Sequence, residues 1–146
     1  MNFLRLGLLA AISILLSACV TGEKFGDAAH NGLPLTAGAG RIYFYRDQLF
    51  FGMARQPAID LNGRPVASCA PNGVAAVDVP PGTYRASVLG DTLDVAVAAG
   101  DEKYVRCSIA FDWLTGHGDL EVVDPAQGRA AIAGLVYTGK TQLAAQ

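Results

Sequence analysis

From Ala58 to Phe111 the chain is cut roughly every ten residues by a turn signal: Asn62-Gly63, Pro71-Asn72-Gly73, Pro80-Pro81-Gly82, Gly90-Asp91 and Gly100-Asp101. No helix of ordinary length fits between such signals. Asn-Gly is the strongest of them, because a two-residue hairpin loop needs positive φ at both positions. Proline presets the φ of a turn's second residue, and glycine accepts the positive φ that follows. The chain's 17 glycines and 7 prolines suit an architecture with many turns.

Between the turns the pattern has period two. Ile59 and Leu61 share a face, as do Tyr84, Ala86 and Val88, then Leu93, Val95 and Val97, then Val105, Cys107, Ile109 and Phe111. Arg41–Arg46 is the first such run, with Ile42 and Phe44 on one side and Tyr43 and Tyr45 on the other. Asp60, Asp78, Asp94 and Glu121 fall at positions read as outward and solvated. Two stretches are read as connections. Leu49–Met53 reads either as an exposed partner-binding patch or, by preference, as a segment folded back over an open end of the core. Trp113–Gly118 is expected to form a loop before a last short strand at Leu120–Val123. The expected fold is mainly β: a single antiparallel β-sandwich of about eight short strands with a short C-terminal helix. Asp124 would cap that helix and Pro125 would be its first residue. Ala130, Ala131, Ile132, Leu135 and Val136 would give its apolar stripe, although Gly128 and Gly134 weaken it.

The start of the chain is different. Arg5 precedes an apolar run, Leu6–Leu16, followed by Ser17, Ala18 and Cys19. That is the order of an export signal. The run is too short for the about 20 residues that a membrane-spanning helix needs. Leu16-Ser17-Ala18-Cys19 resembles the lipobox of bacterial lipoproteins, which implies cleavage before Cys19 and fatty acylation of its sulfur and new amino group. Two or three acyl chains anchor stably, at about 0.8 kcal/mol per buried CH₂. The competing reading is an ordinary secretory signal with an incidental Cys19. By the same resemblance, Val20 where inner-membrane retention uses Asp points to the periplasmic face of the outer membrane. The expected organisation is therefore a signal peptide over 1–18, a lipidated N-terminus and flexible tether over 19–40, the sandwich with its helix over 41–137, and a frayed tail over 138–146.

Export also changes how the remaining cysteines read. Cys69 and Cys107 are left as an even pair in an oxidising compartment. A bridge between them is preferred to two buried free thiols, and would be worth roughly 4 kcal/mol in the chain-entropy model. No Cys-x-x-Cys or His-x-x-x-His spacing marks a metal site, and no cofactor is expected. With a net charge of −2 and charges scattered singly, the chain has no basic stripe for nucleic acid.

Three pieces carry a wider resemblance: Arg41-Ile42-Tyr43-Phe44-Tyr45-Arg46, then Ile59-Asp60-Leu61-Asn62-Gly63, then Val79-Pro80-Pro81-Gly82-Thr83-Tyr84. With Tyr104-Val105-Arg106 they resemble a family of bacterial lipoproteins that carry a domain of unknown function. The Pro-Pro-Gly-Thr-Tyr piece is also similar to the PEGA type of surface β-domain. The resemblance spans about Arg41–Phe111 and implies an envelope lipoprotein without catalytic residues to carry over.

Catalytic constellations are thin. Ser68, Ser87 and Ser108 lie within expected strands, and no Gly-x-Ser-x-Gly elbow occurs. His117, with Asp112 and Asp119 nearby, is the one candidate acid–base cluster, and the alternative reading is a small hydrolase built on it. The favoured reading is a non-enzymatic module, attached to the membrane through Cys19, that contacts an envelope protein or glycan. Tyr43, Tyr45, Tyr104 and Arg106 are its expected partner surface, being residue types enriched in binding hot spots.

Overall fold

In the computed structural model, which describes residues 22–30, 33–47, 55–111 and 115–144, the turn signals set the hairpins of the four-stranded sheet. Strands β2 (Ala58–Leu61) and β3 (Arg64–Ser68) join through Asn62 and Gly63, whose φ values of 50° and 77° are both left-handed. The backbone of Asn62 donates to the Arg85 carbonyl at 2.9 Å, and its side chain accepts from the Arg85 N–H at 2.9 Å. The turn is thereby fastened to β5 (Gly82–Val88). The next hairpin, from β5 to β6 (Asp91–Val97), turns one residue earlier than its sequence suggests. Leu89 and Gly90 take the positive φ values, 44° and 88°, while Asp91 pairs with Val88 inside the ladder. The Asp91 carboxylate instead accepts the N–H of Leu120 at 2.7 Å.

Two sheets face each other, so the sandwich stands, with one correction. The four-stranded sheet, ordered β3-β2-β5-β6, is wholly antiparallel. The five-stranded sheet is mixed. It contains β1 (Gly40–Arg46), β4 (Gly73–Val79), β7 (Glu102–Phe111), β8 (Gly116–Val123) and β9 (Val136–Gln142), in the order β8-β7-β1-β4-β9. Within it β1 runs parallel to β7, and β4 runs parallel to β9. Parallel neighbours need crossovers. The chain from β1 to β7 passes through all four strands of the other sheet and through β4, and the chain from β4 to β9 passes through β5–β8 and then helix α2 (Pro125–Ile132). Residues 138–142, expected to fray, thus belong to an edge strand. Val136 begins that strand instead of extending the helix. His117 likewise lies in β8 and not in a loop.

The main core lies between the sheets. Ile42, Phe44, Val77, Val79 and Val105 meet Ile59, Leu61, Ala86, Val88 and Val95, all buried. Phe111, expected on this face, is about half exposed (49%). Cys69, just beyond β3, is bonded to Cys107 of β7, so the expected disulfide staples one sheet to the other. The open seams are stitched as well. Thr141 of β9 donates its hydroxyl to the Val66 carbonyl of β3 at 2.9 Å, and Asp91 of β6 holds β8 through Leu120.

A second core covers the other face of the five-stranded sheet. β1 and β4 are buried along their full length on both faces. Helix α1 (Phe25–His30), helix α2 and Leu135 bring Phe25, Ile132 and Leu135 onto Tyr43, Tyr45, Val74, Ala76 and Tyr104. Within residues 19–40, the part from Gly22 to His30 and from Leu33 onward is therefore packed structure, not free tether. Phe25 and Ala28 are buried, and its apolar residues face an apolar sheet that would otherwise lie in water. Cys19 and the Leu49–Met53 stretch lie outside the described residues.

Candidate functional site

The most unusual chemistry in the fold is a buried charge network on the helix-covered face. Arg41 and Asp78 are register partners on the antiparallel strands β1 and β4. Arg41 Nε donates to Asp78 Oδ1 at 2.6 Å and Nη2 to Oδ2 at 3.1 Å. The Thr36 N–H and hydroxyl donate to the same Oδ2 at 3.0 and 2.8 Å, and Lys140 Nζ of β9 lies 2.8 Å from it. Arg41 spends its remaining donors on the carbonyls of Leu33 and Pro34, at 2.8 and 3.0 Å. Lys140 also donates to Pro34 O, at 2.8 Å. One carboxylate and two cations therefore clamp the 33–36 segment to two strands.

The Asp78 side chain is fully buried and that of Arg41 nearly so. Burial pushes the Asp78 carboxyl up, but hydrogen bonds from Arg41, Lys140 and Thr36 outweigh it and hold the group well below the usual carboxylate range. For Arg41, burial acts to lower the pKa; the hydrogen bond to Asp78, with Tyr43, outweighs it and raises the guanidinium further. The pair stays ionised. A fully buried carboxylate whose pKa is held so low is a poor proton acceptor, so the arrangement holds structure and does not offer a general base.

The aromatic side chains continue this network. The Arg41 guanidinium sits 5.8 Å from the ring centre of Tyr43, which stacks on Tyr104 at 5.1 Å and meets Phe25 edge-on at 5.3 Å. Both phenols donate to Glu102, at 3.3 Å from Tyr43 and 3.2 Å from Tyr104, and Arg129 of α2 closes on the same carboxylate at 3.2 Å. This corrects the expected partner surface. Tyr43, Tyr45 and Tyr104 are buried beneath the helices, at 5, 3 and 1% exposure. Only Arg106 of that set is exposed, and it pairs with Glu121 on β8. Asp78, expected to be outward and solvated, is instead fully enclosed. It does point away from the main core, but Thr36 of the 33–36 segment, Arg41 and Lys140 cover that side.

The acid–base candidates lie farther along the same sheet. His117 is exposed on edge strand β8, opposite Ala110 of β7. Asp119 follows on the same side of the strand, and its carboxylate accepts the Ser108 hydroxyl at 3.2 Å. Asp112 lies outside the described residues. The cavity of about 350 Å³ between the Asn62-Gly63 hairpin and the Pro80-Pro81 turn is elsewhere, lined by Leu61, Arg64, Tyr84 and Leu143 among others. The Tyr84 hydroxyl there donates to Pro80 O at 2.6 Å. Among the described residues, no group of three or more His, Cys, Asp or Glu could hold a metal ion.

A family model described as "protein of unknown function (DUF2846)" matches residues 36–118, more than half of the chain. The chain belongs to that family. The DUF2846 region starts at Thr36, the donor to Asp78, and ends inside β8. It therefore takes in both cysteines of the disulfide, Arg41, Asp78 and the whole four-stranded sheet. It leaves out α1, α2 and β9, and with them Lys140 and Arg129. The covering layer of the second core thus lies outside the matched region. No curated protein and no solved structure matches the chain.

Proposed function

We propose that this DUF2846 protein is a lipid-anchored envelope lipoprotein of bacteria, a non-enzymatic binding or structural module held by acyl chains on Cys19. The observation that carries the reading is the Leu16-Ser17-Ala18-Cys19 sequence directly after an apolar run too short to span a bilayer. The Cys69–Cys107 disulfide supports it, because such bonds persist in oxidising compartments outside the cytosol. The engaged state of the best-positioned polar side chains supports the non-enzymatic part. Asp78, Arg41 and Glu102 are each committed to several partners that hold structure. Val20 after the cysteine favours the outer membrane. The partner is an envelope protein or glycan, and the resemblance to PEGA-type surface domains fits that class.

Metabolic labelling with a clickable fatty acid tests the anchor. The wild-type protein should take up label and stay with membranes in plain buffer, while Cys19→Ser should do neither. Label that persists in Cys19→Ser rules the anchor out. Co-purification from detergent-solubilised membranes should then yield a stoichiometric partner.

A further inference from the structure

From the way residues 22–26 are fixed to the fold, we infer that the folded body lies directly against the membrane surface instead of standing off on a stalk. Its membrane-facing side is the β9 edge on which residues 22–24 run antiparallel to the beginning of β9, beside the C-terminal end of α2. The inference rests on acylation of Cys19 and adds to it an orientation and a contact surface.

Five consecutive residues are held. A Cβ on Gly22 would sit 3.0 Å from Val136 Cγ1, so the backbone there is already in contact with β9. The Tyr137 N–H donates to the Glu23 carbonyl at 2.8 Å, and Lys24 pairs antiparallel with Val136. The Phe25 N–H donates to Leu135 O at 2.8 Å and the Gly26 N–H to Ala133 O at 3.1 Å. The Phe25 ring then enters the second core, 5.3 Å from Tyr43 and 6.2 Å from Tyr137. A segment with backbone bonds on both sides of a buried aromatic ring does not act as a leash.

The remaining leash is short. From Cys19 to Gly22 the chain advances three residues, and covalent geometry limits that to about 10 Å in any conformation. A free tether of about 20 residues would have an r.m.s. reach of roughly 25 Å. The headgroup layer beside the hydrocarbon core is itself roughly 6 Å deep. Acyl chains seated in the hydrocarbon therefore hold Gly22 within a few ångströms of the headgroups. The occupant of this end is the lipid surface. The Asn62-Gly63 hairpin belongs to the other sheet and sits beside Pro80 and Leu143, at the far end of β9 from its beginning.

The test uses the full-length lipidated protein in membranes, with a photoreactive benzophenone amino acid at one position. Lys24 and Gly134 are exposed positions beside the attachment, and Gly134 has open space where a side chain would go. Arg64, exposed at the far hairpin, is the reference. Cross-linking to phospholipid should be several-fold higher at Lys24 and Gly134 than at Arg64. A Gly/Ser insert of about 20 residues between Val20 and Thr21, with its roughly 25 Å of reach, should bring the near sites down to the Arg64 level. Fatty acid labelling should be unchanged by that insert. Equal cross-linking at all three sites in labelled protein overturns the orientation and leaves the anchor standing. Absence of label on Cys19 overturns both.

Discussion

Asp78 and Arg41 meet across β4 and β1 in register, Oδ1 to Nε at 2.6 Å, where neither side chain reaches water to any extent. A buried pair of this kind is weak evidence of stabilisation by itself, because desolvation consumes most of the Coulomb gain. Its value lies in what it positions. Arg41 and Asp78 gather Leu33, Pro34, Thr36 and Lys140 around one carboxylate, so the chain entering β1 and the chain ending in β9 are fixed to the same point.

Removing the carboxylate should therefore be costly. Asp78→Asn leaves Arg41 and Lys140 facing each other without their anion, and losing one partner of a buried pair typically costs about 3–5 kcal/mol. Urea denaturation should show a lower midpoint by that margin. A variant within about 0.5 kcal/mol of wild type would mean that water reaches the site.

The same carboxylate dictates a pH dependence. Its pKa is lower in the folded protein than in the unfolded chain, where carboxylates titrate near pH 4. It therefore contributes full stability above about pH 4, and that contribution is lost as the pH falls towards the depressed native value. Stability should drop on acidification below about pH 4, with a shallower drop in Asp78→Asn. Asp94 shifts the same way through its bond to Arg85 but is exposed to solvent, so Asp94→Asn should leave the acid limb nearly unchanged. Equal slopes for wild type and Asp78→Asn would assign the acid response to other groups.

The disulfide makes a separate prediction. Cys69 and Cys107 are buried and 38 residues apart in sequence, so the bond restricts a long loop of the unfolded chain. Its loss in Cys69→Ala/Cys107→Ala should cost roughly 4 kcal/mol. In the native protein a thiol reagent should find neither sulfur, and a reductant should act only once denaturant opens the sandwich. Ready reduction without denaturant would mean that solvent reaches the sulfurs in the native fold.

Much of this fold could be read from the sequence where local rules govern. Asn62-Gly63 marked its hairpin because positive φ is a property of two residues, and Val105, Cys107 and Ile109 marked a core face because alternation is a property of one strand. What escaped was what alternation cannot report, a strand covered on both sides. Val74-Ala75-Ala76-Val77 is small and apolar on both faces, which is the pattern of a doubly buried strand. With that clue Tyr43, Tyr45 and Tyr104 would have been placed inside, and Asp78 recognised as a buried charge. Helix α1, six residues long, is too short to show a period, and tertiary contact alone holds it. Cys19 stands on sequence only.

Gly128 shows why the helical layer was hard to see, and it supplies the sharpest test of it. A glycine inside a helix usually argues against the helix, since alanine is favoured there by about 1 kcal/mol. In α2 it is what permits docking: a Cβ at 128 would fall 2.3 Å from Cγ of Tyr104. Gly134, just beyond the same helix, has open space around it. Gly128→Ala should thus reverse the usual sign, destabilising by about 1–3 kcal/mol through overpacking, while Gly134→Ala should be neutral or mildly stabilising. Thermal melts of the two single variants decide the matter. If Gly128→Ala melts at or above wild type, α2 does not lie on the Tyr104 ring, and the second core that pins residues 22–26 to the fold loses its support.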